Sequence, residues 1–189
     1  MIATVYTGSI WYFDKNFIYF SLRNKSIDKR INSRIMVEKG FKTSLAFALS
    51  YIRAMEGEVI QKEPGMIVIK NEDDLHLVFY NNAAIDTMFA LKKNFKNLES
   101  YTRKIDIRIE ELKGKYKFIE KKINHSYGNI EGILKNFDTN NIFLDSERNY
   151  INSINYPQKK IKFIEKYGDF NFNIEMDPYS LVFIDLYKI

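Results

Sequence analysis

Hydrophobic and polar positions alternate most clearly near the C-terminus. From Phe170 to Met176 every second residue is apolar (Phe170, Phe172, Ile174, Met176), the two-residue period of a strand with one buried and one wet face. The preceding run, Lys159–Lys166, is separated from it by Tyr167-Gly168-Asp169, and this turn chemistry predicts a hairpin. A second turn is expected at Asp177-Pro178, because proline fixes φ and removes a ladder donor. Leu181–Ile184 is an almost continuous apolar run suited to a buried strand. The chain therefore closes a β-sheet core at this end.

Upstream, Ile2–Tyr6, Ile10–Phe13 and Phe17–Leu22 have strand-like content, and 23–33 reads as a polar loop. The period then changes. Leu45, Phe47, Ala48, Leu49, Ile52 and Met55 recur at helical spacing, with Thr43 or Ser44 as cap and Gly57 as stop. Three short strands follow: Glu58–Gln61, Met66–Lys70 and Leu75–Tyr80, divided by Pro64-Gly65 and an acidic turn at 71–74. Asp86–Asn97 reads as another short helix. Tyr101–Leu112 and Lys115–Ile123 read as a long hairpin around Lys113-Gly114. Two short helices are expected at Asn129–Phe137 and Ser146–Ile154, the second capped by Ser146 or Asp145. The fold class is mainly β: an antiparallel β-sandwich with one helix at about 43–55 and short helices in a 129–154 insert.

Composition narrows the chemistry. Hydrophobic residues make up 46% of 189 residues, enough for a sizeable core, which argues against wholesale disorder. The absence of cysteine excludes disulfides, thiolate metal sites and a cysteine nucleophile. No secretory pattern opens the sequence and no run is long enough to span a bilayer, so a soluble cytoplasmic protein without membrane partners is expected. The net charge of +5 suggests phosphate binding, but the charges are mixed in sign. Lys104, Asp106, Arg108 and Glu110 alternate with isoleucines, which describes a solvated strand face and not a basic stripe. No direct DNA contact is expected.

Candidate catalytic groups are sparse. His76 and His125 are far apart in sequence, and a zinc site needs three or four converging ligands. No serine lies in a nucleophile elbow, no glycine-rich phosphate loop is present, and the pairs Asp73-Asp74 and Glu110-Glu111 cannot face each other across a cleft. No catalytic residue, metal or cofactor is expected. The aromatic and acidic cluster Trp11, Tyr12, Phe13 and Asp14 reads in two ways. It can stack on a sugar ring and accept its hydroxyl protons, or it can simply pack in a core.

Several segments, in order, resemble the C-terminal region of glycoside hydrolase family 39, the β-xylosidase and α-iduronidase group, as found at the C-terminus of some AraC-type transcription regulators. Ile10–Asp14 is similar to the last barrel strand, and Gly40-Phe41-Lys42 with the following helix to a Gly-x-Lys-Pro segment in which Thr43 replaces proline. Tyr80-Asn81, the Asn124-x-x-x-Gly128-Asn129 turn and Asp177-Pro178-Tyr179 match further family motifs. The resemblance implies a 1–42 segment akin to the last barrel strand and loop, then a helix plus sandwich domain at 43–189. It also implies an absence of catalysis, since the family's two catalytic glutamates lie on upstream barrel strands and a barrel takes about 250 residues. The expected role is an accessory module of a regulator, acting through packing, self-association or sensing of an effector such as a sugar. The alternative is a carbohydrate-binding module using Trp11, Tyr12 and Asp14, with Tyr80 and Asn81 as secondary contributors.

Overall fold

The computed structural model describes residues 37, 38, 40–81, 101–137 and 143–189. The expectations for Ile2–Tyr6, Ile10–Asp14, Phe17–Leu22 and Asp86–Asn97 lie outside the described residues. Two compact units are present: residues up to Glu56 with Ile123–Gln158, and Gly57–Lys122 with Lys159–Ile189.

Among its described residues the first unit has a two-strand ribbon and three helices. Strands β1 (Val37–Glu38) and β2 (Phe41–Lys42) pair antiparallel. Helix α1 (Ser44–Arg53) starts where its sequence says it should, with the Thr43 hydroxyl accepting from Ala46 N–H at 3.2 Å. Helix α2 (Ile130–Leu134) is capped by Asn129, whose side chain accepts from Gly132 N–H. Helix α3 (Asp145–Ile154) differs from expectation at its start. Its cap is Leu144, and neither Asp145 nor Ser146 fills that place. The carboxylate of Glu147 instead accepts from the Leu144 N–H at 2.8 Å, so one orphan donor of the helix end is met from inside the first turn. Phe41, Ile130, Leu134, Phe143 and Ile151 form this unit's core, with Phe41 edge-on to Phe143 at 5.6 Å.

The second unit is the β domain. Strands β3 (Glu58–Glu63), β4 (Met66–Asn71), β5 (Asp74–Asn81), β6 (Arg103–Ile123), β7 (Gln158–Met176) and β8 (Ser180–Lys188) form a sheet in the order β3-β4-β5-β8-β6-β7. The meander β3-β4-β5 is antiparallel as expected, and β5 pairs antiparallel with β8 from Leu75–Leu186 to Asn81–Ser180.

Two expected hairpins are corrected. Residues 103–123 form one strand, and so do residues 158–176. Lys113-Gly114 and Tyr167-Gly168-Asp169 are not hairpin turns but bends within continuous strands. Glu111, Gly114 and Gly168 have φ of 57°, 117° and 106°, and such residues let a ladder turn a corner without ending. The bend in β6 is severe. Twenty-one straight residues would extend about 65–70 Å. Yet Asn81 Nδ2 donates to both Tyr101 O and Asp177 O, while Lys122 Nζ is 2.9 Å from Asp177 Oδ2. Both ends of β6 thus meet one turn, and the strand folds back over itself.

That folding makes the sandwich. Pairs Arg108–Asp169, Lys115–Glu165 and Glu120–Lys160 run in opposite senses along β6 and β7, so the two form an antiparallel ribbon that bends as a unit. Ile107 from the first half of β6 and Ile174 and Met176 from the end of β7 share a core with Val68, Leu77, Phe79, Phe118, Val182, Ile184 and Leu186. Alternation then places His76, Val78, Tyr80, Phe183 and Asp185 on the opposite face of β5 and β8, where each is 5% exposed or less.

Candidate functional site

Burying both faces of β5 and β8 has a chemical consequence, because the even positions of β5 and the odd positions of β8 include titratable side chains. The β5–β8 register places His76 directly opposite Asp185. His76 Nδ1 is 2.8 Å from Asp185 Oδ1, and Lys121 Nζ on β6 donates to Asp185 Oδ2 at 2.7 Å. An ionised carboxylate can only accept, so Nδ1 carries the proton of this bond. Burial works to raise the Asp185 pKa, but the hydrogen bonds from His76 and Lys121 outweigh it and hold the carboxyl below its usual range. Tyr187 closes the cluster with its ring at 74° to the His76 imidazole, 5.6 Å between centroids. Its hydroxyl pKa is raised by burial, then by the charges of Asp185 and Asp74.

Chemically this cluster is closed. Asp185 has both oxygens engaged and is 1% exposed, and His76 is 4% exposed, so neither reaches a substrate. Among the described residues no group of three or more His, Asp or Glu side chains could hold a metal ion. No helix among them is long and apolar enough to cross a membrane.

Of the residues singled out in the sequence, Trp11, Tyr12 and Asp14 lie outside the described residues. Tyr80 and Asn81 are buried at the end of β5. The Asn81 amide nitrogen lies within 3.2 Å of Tyr101 O, Met176 O and Asp177 O, while Tyr179 N–H donates to the Asn81 carbonyl at 2.7 Å. Asn81 Oδ1 has no hydrogen-bond partner among the described residues. This asparagine ties the start of β6, the end of β7 and the β7–β8 turn to β5.

The other motifs behind the family resemblance are also turn chemistry. Asn124 Oδ1 accepts from Ser126 N–H and Tyr127 N–H at 3.0 and 2.9 Å, the local side-chain turn that asparagine favours. Gly128 has φ of 66°, and a Cβ there would lie 3.2 Å from Pro157 Cγ. Asn129 caps α2 and donates to His125 O. The His76–Asp185–Lys121 cluster was missed in the sequence. Its one available signal was charge placed in otherwise apolar strand runs, at Asp185 and at His76.

No protein-family model matches this sequence, and no curated protein matches it. Among solved structures, the chain is similar to the GH39 enzyme from Xanthomonas axonopodis pv. citri, with a TM-score of 0.67 and 11% identity over 82% of this chain and 32% of that one. It is similar to a monomeric β-xylosidase from Caulobacter crescentus CB15, with a TM-score of 0.66 and 14% identity over 82% and 32%. The chain thus spans about a third of the length of the enzymes it matches. At such identities the likeness is one of fold: a β-rich domain resembling the C-terminal domain of GH39 glycosidases.

Proposed function

We propose that this chain is a non-catalytic accessory sandwich module, the glycosidase-like C-terminal part of an AraC-type transcription regulator, acting through packing, self-association or effector sensing. The observation that supports this reading is the state of Asp185. It is the one fully buried carboxylate among the described residues, and both its oxygens are engaged within the fold, by His76 and by Lys121. Glycoside hydrolysis needs two carboxyl groups facing a sugar across a cleft. In the proposed setting DNA contact belongs to a helix-turn-helix elsewhere in the regulator. Incubation of the chain with nitrophenyl xylosides tests the non-catalytic reading. No turnover is expected, and turnover abolished by a single Glu→Gln substitution overturns it. For the regulatory role, deleting this module from the regulator should alter promoter response while leaving DNA binding in place; an unchanged response rejects that role.

A second reading is a carbohydrate-binding module, favoured by the aromatic and carboxylate side chains at Trp11, Tyr12 and Asp14. Calorimetry with xylo-oligosaccharides should then give heat that Trp11→Ala removes. Binding that survives this substitution rules out the site.

A further inference from the structure

The outer strand of the sheet carries apolar side chains that the fold does not cover. Among the described residues, β7 has β6 as its single sheet neighbour, so no described strand pairs with its other edge, which makes it an edge strand among them. Phe163 is 71% exposed and Ile161 is 50% exposed. They share the outward face with Lys159 and Glu165. Lys162 and Ile164 point the other way: Lys162 Nζ sits 4.3 Å from the centre of the Phe118 ring, and Ile164 packs against the core. A lysine-rich edge is often a guard against pairing. Here the two inward lysines are turned onto their own sheet, Lys162 over Phe118 and Lys160 onto Glu120 at 3.2 Å, and the outward positions at the centre are apolar.

We propose that Lys159–Glu165 of β7 is an edge-to-edge interface with a second copy of this chain, paired antiparallel about a two-fold axis at Lys162. This rests on the accessory-module reading and names the surface by which such a module self-associates. The register follows from complementarity. A continuous sheet keeps outward faces together, so the axis must pass through a residue and not between two. Centred on Lys162, Ile161 faces Phe163 and Lys159 faces Glu165, each pair occurring twice. Centred on Phe163, Ile161 would face Glu165; centred on Ile164, Phe163 would face Glu165. On the outward face only the Lys162 register matches apolar with apolar and cation with anion; on the inward face Lys162 meets its own copy, each ammonium drawn over the Phe118 ring of its own chain.

Sedimentation equilibrium of the full chain should show a concentration-dependent dimer. Lys159→Glu and Glu165→Lys each place like charges opposite one another twice, and each should weaken the dimer about three- to thirty-fold. The double reversal restores the cross-copy pairs and should return affinity to within about three-fold of the original. Glu165→Lys also removes the pair with Lys115 at 3.7 Å within one chain, which the double reversal does not rebuild, so recovery reports the interface alone. A second readout exploits the absence of cysteine. Lys162→Cys should form an inter-chain disulfide, whereas cysteines at 160 or 164 lie about 13 Å from their own copies and cannot. A chain that stays monomeric to about 1 mM, a double reversal no better than the singles, or cross-linking indifferent to position overturns the interface. A monomer without xylosidase turnover rejects the interface and leaves the accessory-module reading standing; turnover rejects that reading whatever the oligomeric state.

Discussion

His76 and Asp185 stand 109 residues apart in sequence, yet their side chains meet at 2.8 Å on a buried face of the sheet. The β5–β8 register sets the contact, and Lys121 from the adjoining β6 completes it. A buried carboxylate is tolerable here because two donors meet it. Removing the carboxylate therefore takes the shared acceptor from both donors, whereas removing one donor leaves the other in place.

Asp185→Ala leaves His76 and Lys121 without their acceptor and should lower stability by about 3–5 kcal/mol. His76→Leu leaves Lys121 on Asp185 and should cost less, about 1–3 kcal/mol. Urea unfolding midpoints at neutral pH check the order. Equal losses would contradict the shared role assigned to Asp185.

The pH dependence has a definite sign. Burial pushes the Asp185 pKa up, but the bonds from His76 and Lys121 hold it below the ordinary carboxylate value. Its contribution is therefore complete above the unfolded pKa of about 3.9, and it is lost as pH falls through the lower folded value. Unfolding midpoints between about pH 6 and pH 2 should fall less steeply in Asp185→Asn than in the parent. Parallel curves for the two proteins would refute this assignment.

Asn81 gives a sharper substitution. Asn81→Asp replaces a donor near three backbone carbonyls with an acceptor, and should cost about 3 kcal/mol or more. Asn81→Ala removes the amide without adding like charge, so its loss should be smaller. Thermal melts of the pair decide it; an aspartate variant as stable as the alanine variant would remove the clamp role.

Two glycines should respond differently to alanine. A Cβ at Gly57 would lie 2.3 Å from the Lys70 carbonyl oxygen, whereas at Gly168 it would meet nothing within 4 Å. Both have positive φ, so Gly168→Ala should cost only about 1–2 kcal/mol of backbone strain. Gly57→Ala adds a steric clash with backbone and should cost more. Denaturant midpoints test the ranking.

The local elements were legible wherever one short stretch contained its own reason. Thr43 and the apolar spacing after it specified α1, the turn signals at Pro64-Gly65 and 71–74 specified β4 and β5, and Asp177-Pro178 specified the β7–β8 turn. The hairpin expectations at Gly114 and Gly168 failed for an equally local reason. A glycine between two alternating runs suits both a turn and a bulged bend, and nothing within the stretch distinguishes them. The pairing of β6 with β7 on both sides of the bend carries the ribbon around the corner unbroken.

The sequence by itself determined that the chain is mainly β, that its strands alternate, and that Asp177-Pro178 turns the chain, because each depends on residues a few positions apart. Only the tertiary structure decided that both faces of β5 and β8 are buried, that Asn81 ties three segments together, and that His76, Lys121 and Asp185 share one site. Strand register brings together side chains that are dozens of residues apart. A buried charge is stable only when distant partners arrive to satisfy it, and periodicity carries no record of which partners those are.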